Sequence, residues 1–130
     1  MAGNDVAGNI ERTVAFIKAW EARDIDTVTD AVAEDLFYHN IPMAPITSKD
    51  ALKAFAAPFL AGADHVKWDV LHIAETADGA VLTERLDHFH MKDGKTISIR
   101  VMGTFEFNAD GKLAKWRDYF DLAEFQSQMG

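Results

Sequence analysis

The chain has 130 residues, 48% of them hydrophobic and 26% charged, and thirteen basic against twenty-one acidic side chains leave a net charge of −8. This length and balance suit one globular domain, residues 1–130, with enough interior to fold without covalent staples. The negative charge argues against nucleic acid and anionic membranes as partners, and the lack of cysteine excludes disulfides, thiolate metal sites and a cysteine nucleophile. No window approaches eighteen apolar residues, and Met1 to Glu11 has no basic patch followed by an apolar stretch, so the expected location is the cytoplasm.

Asn9 to Ala22 reads as an amphipathic helix, with Ile10, Val14 and Ile17 at helical spacing and Phe16 and Trp20 beside them. Asp24 is an N-cap for a short second helix with Ile25, Val28 and Val32 as its stripe. Asp35 to Ile41 is strand-like, and Pro42 and Pro45 stop it and open a loop, Met43 to Thr47. Ser48 caps a third helix that points Leu52, Phe55, Phe59 and Leu60 inward, and Pro58 is expected to end or kink it. Four strands follow: His65 to Thr76, Ala80 to Met91, Thr96 to Phe107 and Lys112 to Phe120. The dipeptides Asp78-Gly79, Asp93-Gly94 and Asp110-Gly111 separate them, a strong hairpin signal that makes neighbouring strands antiparallel. Asp121 to Gln128 closes the chain as a short helix or tail. The order predicts an α+β domain with three to four helices packed on one face of a curved sheet, mixed or antiparallel.

Alternation assigns the faces. Ile97, Ile99, Val101, Gly103, Phe105 and Phe107 share an inward face, and Gly103 in its middle signals a bend or a close backbone approach. Val81, Thr83, Arg85, Asp87, Phe89 and Met91 share another such face. Trp116 and Phe120 flank Asp118 on a third, and Leu36, Tyr38 and Asn40 point one way in the early strand. Tyr38, Asn40, Arg85, Asp87 and Asp118 are thus polar side chains on otherwise apolar faces. Buried charges must be paired, and one guanidinium has donors enough for two carboxylates. Burial and a like-charged neighbour raise one carboxyl while the arginine holds the other ionised, which is what acid–base chemistry needs. A purely structural ion-pair network remains the alternative at this point.

Phe37-Tyr38-His39-Asn40-Ile41-Pro42, Thr83-Glu84-Arg85-Leu86-Asp87, Val101-Met102-Gly103-Thr104-Phe105 and Trp116-Arg117-Asp118-Tyr119-Phe120-Asp121, in that order, resemble the limonene-1,2-epoxide hydrolase family over nearly the whole chain. The resemblance implies a cone-shaped α+β fold like nuclear transport factor 2 and ketosteroid isomerase, a homodimer, and neither metal nor organic cofactor. It implies Asp87 as the acid that protonates the epoxide oxygen, Asp118 as the base that deprotonates the attacking water, and Arg85 as the bridge between them. It implies Tyr38 and Asn40 as the groups that, with Asp118, hold the water. Such a one-step opening needs no covalent intermediate, and the nucleophile elbow of α/β-hydrolases is absent.

Met43, Leu52, Phe55, Phe59, Leu71, Ile73, Phe89, Ile99, Val101, Trp116 and Phe120 are candidates for an apolar pocket lining, which implies an apolar, cyclic terpene-like epoxide. His88 and His90 share an outward face without a third ligand, His39 points away from Tyr38, and His65 and His72 stand alone, so no metal is expected. Trp20 and Trp68 read as core or interface. Phe120, Leu122 and Phe125 close the pocket or join an interface, and Leu82 and Leu86 are apolar residues left over on outward faces. A ketosteroid-isomerase or polyketide-cyclase type of enzyme and a non-catalytic binder of apolar ligands are the alternative functions.

Overall fold

The computed structural model describes residues 8–129, so the reading of residues 1–7 as free of a leader lies outside it. Helix α1 is Asn9–Glu21, α2 is Ile25–Asp30, and strand β1 is Val32–Asn40. Helix α3, Lys49–Ala61, leads into β2 (Ala63–Glu75), β3 (Val81–Met91), β4 (Thr96–Phe107) and β5 (Leu113–Tyr119), and α4, Leu122–Met129, follows. The local signals act as the side chains dictate. Asp24 Oδ1 accepts from Thr27 N–H at 3.1 Å and Ser48 Oγ from Ala51 N–H at 3.0 Å, satisfying first-turn donors of α2 and α3. Gly79, Gly94 and Gly111 take φ of +93°, +94° and +76°, which the three hairpin turns require.

One five-stranded curved sheet runs β1-β5-β4-β3-β2. β2 to β5 form an antiparallel meander, and β1 lies parallel to β5 at its edge, with Tyr38 opposite Trp116 and Asn40 opposite Asp118. A parallel partner has no turn between the strands to announce it. β1 begins at Val32, earlier than Asp35, because Val32 pairs with Leu113; α2 is correspondingly short and Val32 leaves its stripe. Pro58 does not end α3. It sits in the last turn, where Gly62 N–H still bonds Pro58 O and Phe59 O at 3.0 and 3.2 Å.

The core lies between the inner sheet face and the first three helices. Phe16, Ile17 and Trp20 of α1, Val28 of α2 and Leu52, Ala56 and Leu60 of α3 pack against Val66, Val81, Ile97, Phe105, Leu113 and Trp116. Helix α4 buries none of its residues. It lies against β4 beyond the end of β5, where the Gln128 amide accepts from Ser98 N–H at 2.6 Å and donates to Ser98 O at 2.8 Å. That side chain satisfies a strand edge which β5 leaves open. Among the described residues no helix is long and apolar enough to cross a membrane.

Candidate active site

Five strands bring the polar residues to one place. Asp118 on β5 pairs with Asn40 of β1 on one side and Gly103 of β4 on the other. On β3, Arg85 and Asp87 lie opposite Val101 and Ile99 of β4, and Asp87 pairs with Trp68 of β2. All these side chains face the core because alternation in each strand puts them there.

Arg85 bridges both carboxylates. Its Nε and Nη2 donate to Asp87 Oδ1 and Oδ2 at 3.1 and 2.9 Å, and its Nη1 and Nη2 donate to Asp118 Oδ1 and Oδ2 at 3.3 and 3.0 Å. The bridge crosses β4, because β3 and β5 are not neighbours; two sheet spacings are roughly 10 Å. Gly103 makes the crossing possible. A Cβ there would run into Asp118 Oδ1 and Arg85 Nη1 at distances real Cβ atoms do not reach. The glycine is thus present for space, as its place in an otherwise large apolar face suggested.

Further donors and acceptors complete the cluster. Trp116 Nε1 donates to Asp118 Oδ1 at 2.9 Å, and the Arg85 Nη1 reaches Thr83 Oγ1 at 3.2 Å, whose hydroxyl donates to Gly103 O. The Arg85 guanidinium also lies over the Trp68 ring, 4.9 Å from its centroid. Tyr38 Oη donates to Asn40 Oδ1 at 3.1 Å, which leaves the phenolic lone pairs and the amide Nδ2 for another partner. Tyr38 is held from three sides. It stacks on Trp116 at 3.9 Å, and its backbone N–H and C=O pair with Ile46 at 2.8 and 2.7 Å as the proline loop turns back.

Burial sets the two carboxyls apart from ordinary ones. Asp87 and Asp118 are 3% and 5% exposed, and Arg85 is 1%. Burial pushes the Asp87 carboxyl up to about 6, against the pull of the Arg85 charge and helped by the Asp118 charge. Burial and then the Asp118 charge push the Tyr38 phenol up, so it stays protonated. For Arg85, burial opposes the cation, but the charges of Asp118 and Asp87 outweigh it and raise its pKa.

Asp87, Asp118, Tyr38 and Asn40 open onto one apolar cavity of about 90 Å³, and Arg85 stands behind the carboxylates. Met43, Phe55, Phe59, Phe89, Ile99, Val101 and Phe120 line it as expected, and Phe125 of α4 joins them. Phe55 faces the cavity rather than the core and is 43% exposed at its mouth. Four expected lining residues are elsewhere. Leu52 packs with Ala56 and Leu60 on α3 and is fully buried core, outside the cavity. Trp116 is fully buried beneath Tyr38 and serves as a donor to Asp118. Leu71 and Ile73 stand two residues apart on β2, but a bulge between Val70 and His72 puts them on opposite faces. Leu71 turns to the outer face, 55% exposed, and Ile73 packs on the core opposite Thr83, outside the cavity.

Trp20 and Trp68, read as core or interface, are core residues that line the cavity as well. Trp68 alternates inward with Val66 beside Phe89, a signal present in the sequence; the approach of Trp20 depends on how α1 packs and is not written in its spacing. The histidines take no part. His39 bonds Met43 O, His72 pairs with Glu84 at 2.9 Å, and His88 contacts Ser98 and Asp69. Among the described residues no group of three or more His, Asp or Glu side chains is placed to hold a metal ion.

A family profile described as "Limonene-1,2-epoxide hydrolase catalytic domain" matches residues 7–130. The chain belongs to the limonene-1,2-epoxide hydrolase family. It is 35% identical over 109 residues to the epoxide hydrolase EphG of Mycobacterium tuberculosis, covering 83% of this chain and 70% of that protein. The solved structure of an M. tuberculosis LEH-like epoxide hydrolase superposes with a TM-score of 0.78 at 31% identity, over 92% of this chain and 87% of that one. A SnoaL-like polyketide cyclase candidate from Shewanella denitrificans gives a TM-score of 0.82 at 18% identity, over 93% and 96% of the two chains, and shows the common fold. Membership of the limonene-1,2-epoxide hydrolase family, together with the epoxide hydrolase relative, makes this chain a hydrolase homologue.

Proposed function

We propose that the protein hydrolyses an apolar cyclic epoxide, terpene-like in size, to a vicinal diol in one step, without a metal or organic cofactor. The observation that carries this reading is the pair of carboxyls open to one apolar cavity and bridged from behind by one arginine. Asp87 protonates the epoxide oxygen as that C–O bond breaks. A water attacks the carbon from the opposite side and gives its proton to Asp118 as the new C–O bond forms. Tyr38 and Asn40 position this water with Asp118, a gain in orientation rather than in reactivity. The product leaves Asp118 protonated and Asp87 ionised, so one proton must return before the next turnover. Arg85 keeps its charge throughout and is a positioning residue.

A single-turnover reaction in oxygen-18 water, with limonene-1,2-epoxide and with cyclohexene oxide, tests this. Labelled diol is expected from the first turnover; unlabelled diol would place the oxygen on a protein carboxyl first and overturn direct attack. The same reaction followed from pH 5 to 9 reads the acid. The reactive form of Asp87 is the neutral one, and its pKa is raised to about 6. kcat/KM is therefore expected to level off below pH 6 and to fall about tenfold per pH unit above it. A profile flat to pH 8 would remove Asp87 as the acid.

We also infer that the protein is a homodimer. Leu71, Met102 and Tyr119 are exposed around a groove on the outer sheet face that Leu86 also lines, and Leu82 is exposed as well. Sedimentation velocity is expected to give a dimer that Met102→Asp converts to a monomer, and a monomeric native protein would exclude it.

A further inference from the structure

The cavity wall is rich in aromatic rings. Eight of its fourteen lining residues are Phe, Tyr or Trp. Trp20 and Trp68 stack at 22°, but other rings stand across one another. Phe59 and Phe89 meet at 5.0 Å and 74°, Phe89 and Trp68 at 6.2 Å and 79°, and Phe120 and Phe125 at 6.0 Å and 64°. Rings set near right angles offer both their positive edges and their negative faces to a guest. A flat aromatic ring can answer either. A saturated ring of equal size is thicker and carries no quadrupole, so it gains only burial.

Size narrows the guest further. An engineered apolar cavity of roughly 150 Å³ takes up benzene. The present cavity encloses about 90 Å³ and opens past Phe55 and Met43, 43% and 37% exposed. A guest of about one six-membered ring, with its rim in the mouth, suits this size. Resting on the epoxide hydrolase reading above, we propose that the preferred substrate is an oxirane bearing a single aryl ring, selected over its saturated counterpart by Phe59, Phe89 and Trp68.

The product diols test this without the higher chemical reactivity of a benzylic epoxide. 1-Phenylethane-1,2-diol and 1-cyclohexylethane-1,2-diol are compared as competitive inhibitors of cyclohexene oxide hydrolysis. The cyclohexyl compound is the more apolar, so burial alone makes it the better inhibitor. The inference expects the reverse, with the phenyl diol bound about two- to tenfold more tightly. Phe59→Leu and Phe89→Leu each keep an apolar side chain, and each is expected to bring the ratio back towards that of burial alone. Phe59 is only part-buried, so its variant tests the point even where Phe89→Leu does not fold. Equal binding, tighter binding of the cyclohexyl diol, or no inhibition by either overturns the aryl preference while cyclohexene oxide hydrolysis leaves the activity standing. No diol from phenyloxirane, cyclohexyloxirane or cyclohexene oxide, with the protein folded, overturns the activity and the aryl preference with it.

Discussion

Asp118→Asn and Asp87→Asn are each expected to lower diol formation by about 10³-fold or more, at the upper part of the range for loss of a positioned acid or base. Asparagine keeps the shape of each side chain but can neither accept the water proton nor supply an acidic one. It also turns one of its amide N–H groups towards the Arg85 donors now facing both carboxylates at 2.9 to 3.3 Å, so some misplacement is added to the lost chemistry. The two losses are not additive, because the acid and the base act in one step; the double variant is expected to be no slower than about the worse single one. Circular dichroism and thermal melting show whether the variants are folded. Diol formation within tenfold of wild type in either folded variant would remove that carboxyl from the chemistry.

The inner faces of β3, β4 and β5 were readable because alternation survives along them: Thr83, Arg85, Asp87 and Phe89 are buried while Leu82, Glu84 and His90 are not. Gly103 announced a close approach, though what approaches it, the guanidinium reaching across β4, depends on three strands at once. Single-residue departures from alternation leave no trace in the pattern. The bulge between Val70 and His72 turns Ile73 to the core while Leu71 keeps the outward face that alternation from Trp68 gives it, and nothing in His65 to Thr76 marks where the bulge falls. Helix faces gave the same difficulty in another form. Leu52 and Phe55 are three residues apart on α3, near enough to share one stripe, yet one is core and the other cavity mouth. Distinguishing wall from core needs the angle at which the helix crosses the sheet, which packing decides. The polar residues were legible for a simpler reason: a charge on an apolar face must have a partner, and few partners were available.

Arg85→Met is the variant expected to cost most in stability. The Arg85 side chain is fully buried, and both its carboxylate partners are nearly so. Removing it leaves two like charges facing each other without a counterion, and breaking a buried pair in this way costs roughly 3–5 kcal/mol near neutral pH. For a chain of this size that corresponds to a melting temperature lower by about 10–20 °C. Lysine is not a conservative replacement, since one ammonium cannot supply four directed donors to two carboxylates. The pH dependence separates this cause from a simple packing defect. Asp87 is already raised to about 6 with the arginine present, and without the Arg85 charge that carboxyl is raised further. A group whose pKa is higher folded than unfolded stabilises the fold below its unfolded pKa and loses that contribution as pH rises through the folded value. The variant is therefore expected to melt higher at pH 5 than at pH 8, with the deficit against wild type smallest in acid. Adding Asp87→Asn and Asp118→Asn to Arg85→Met removes both charges and is expected to restore much of the melting temperature and its insensitivity to pH, with no return of activity. A deficit that is the same at pH 5 and pH 8, or that the triple variant does not reduce, would mean that lost packing around Trp68 and Phe105, and not the orphaned carboxylates, is what Arg85 holds off.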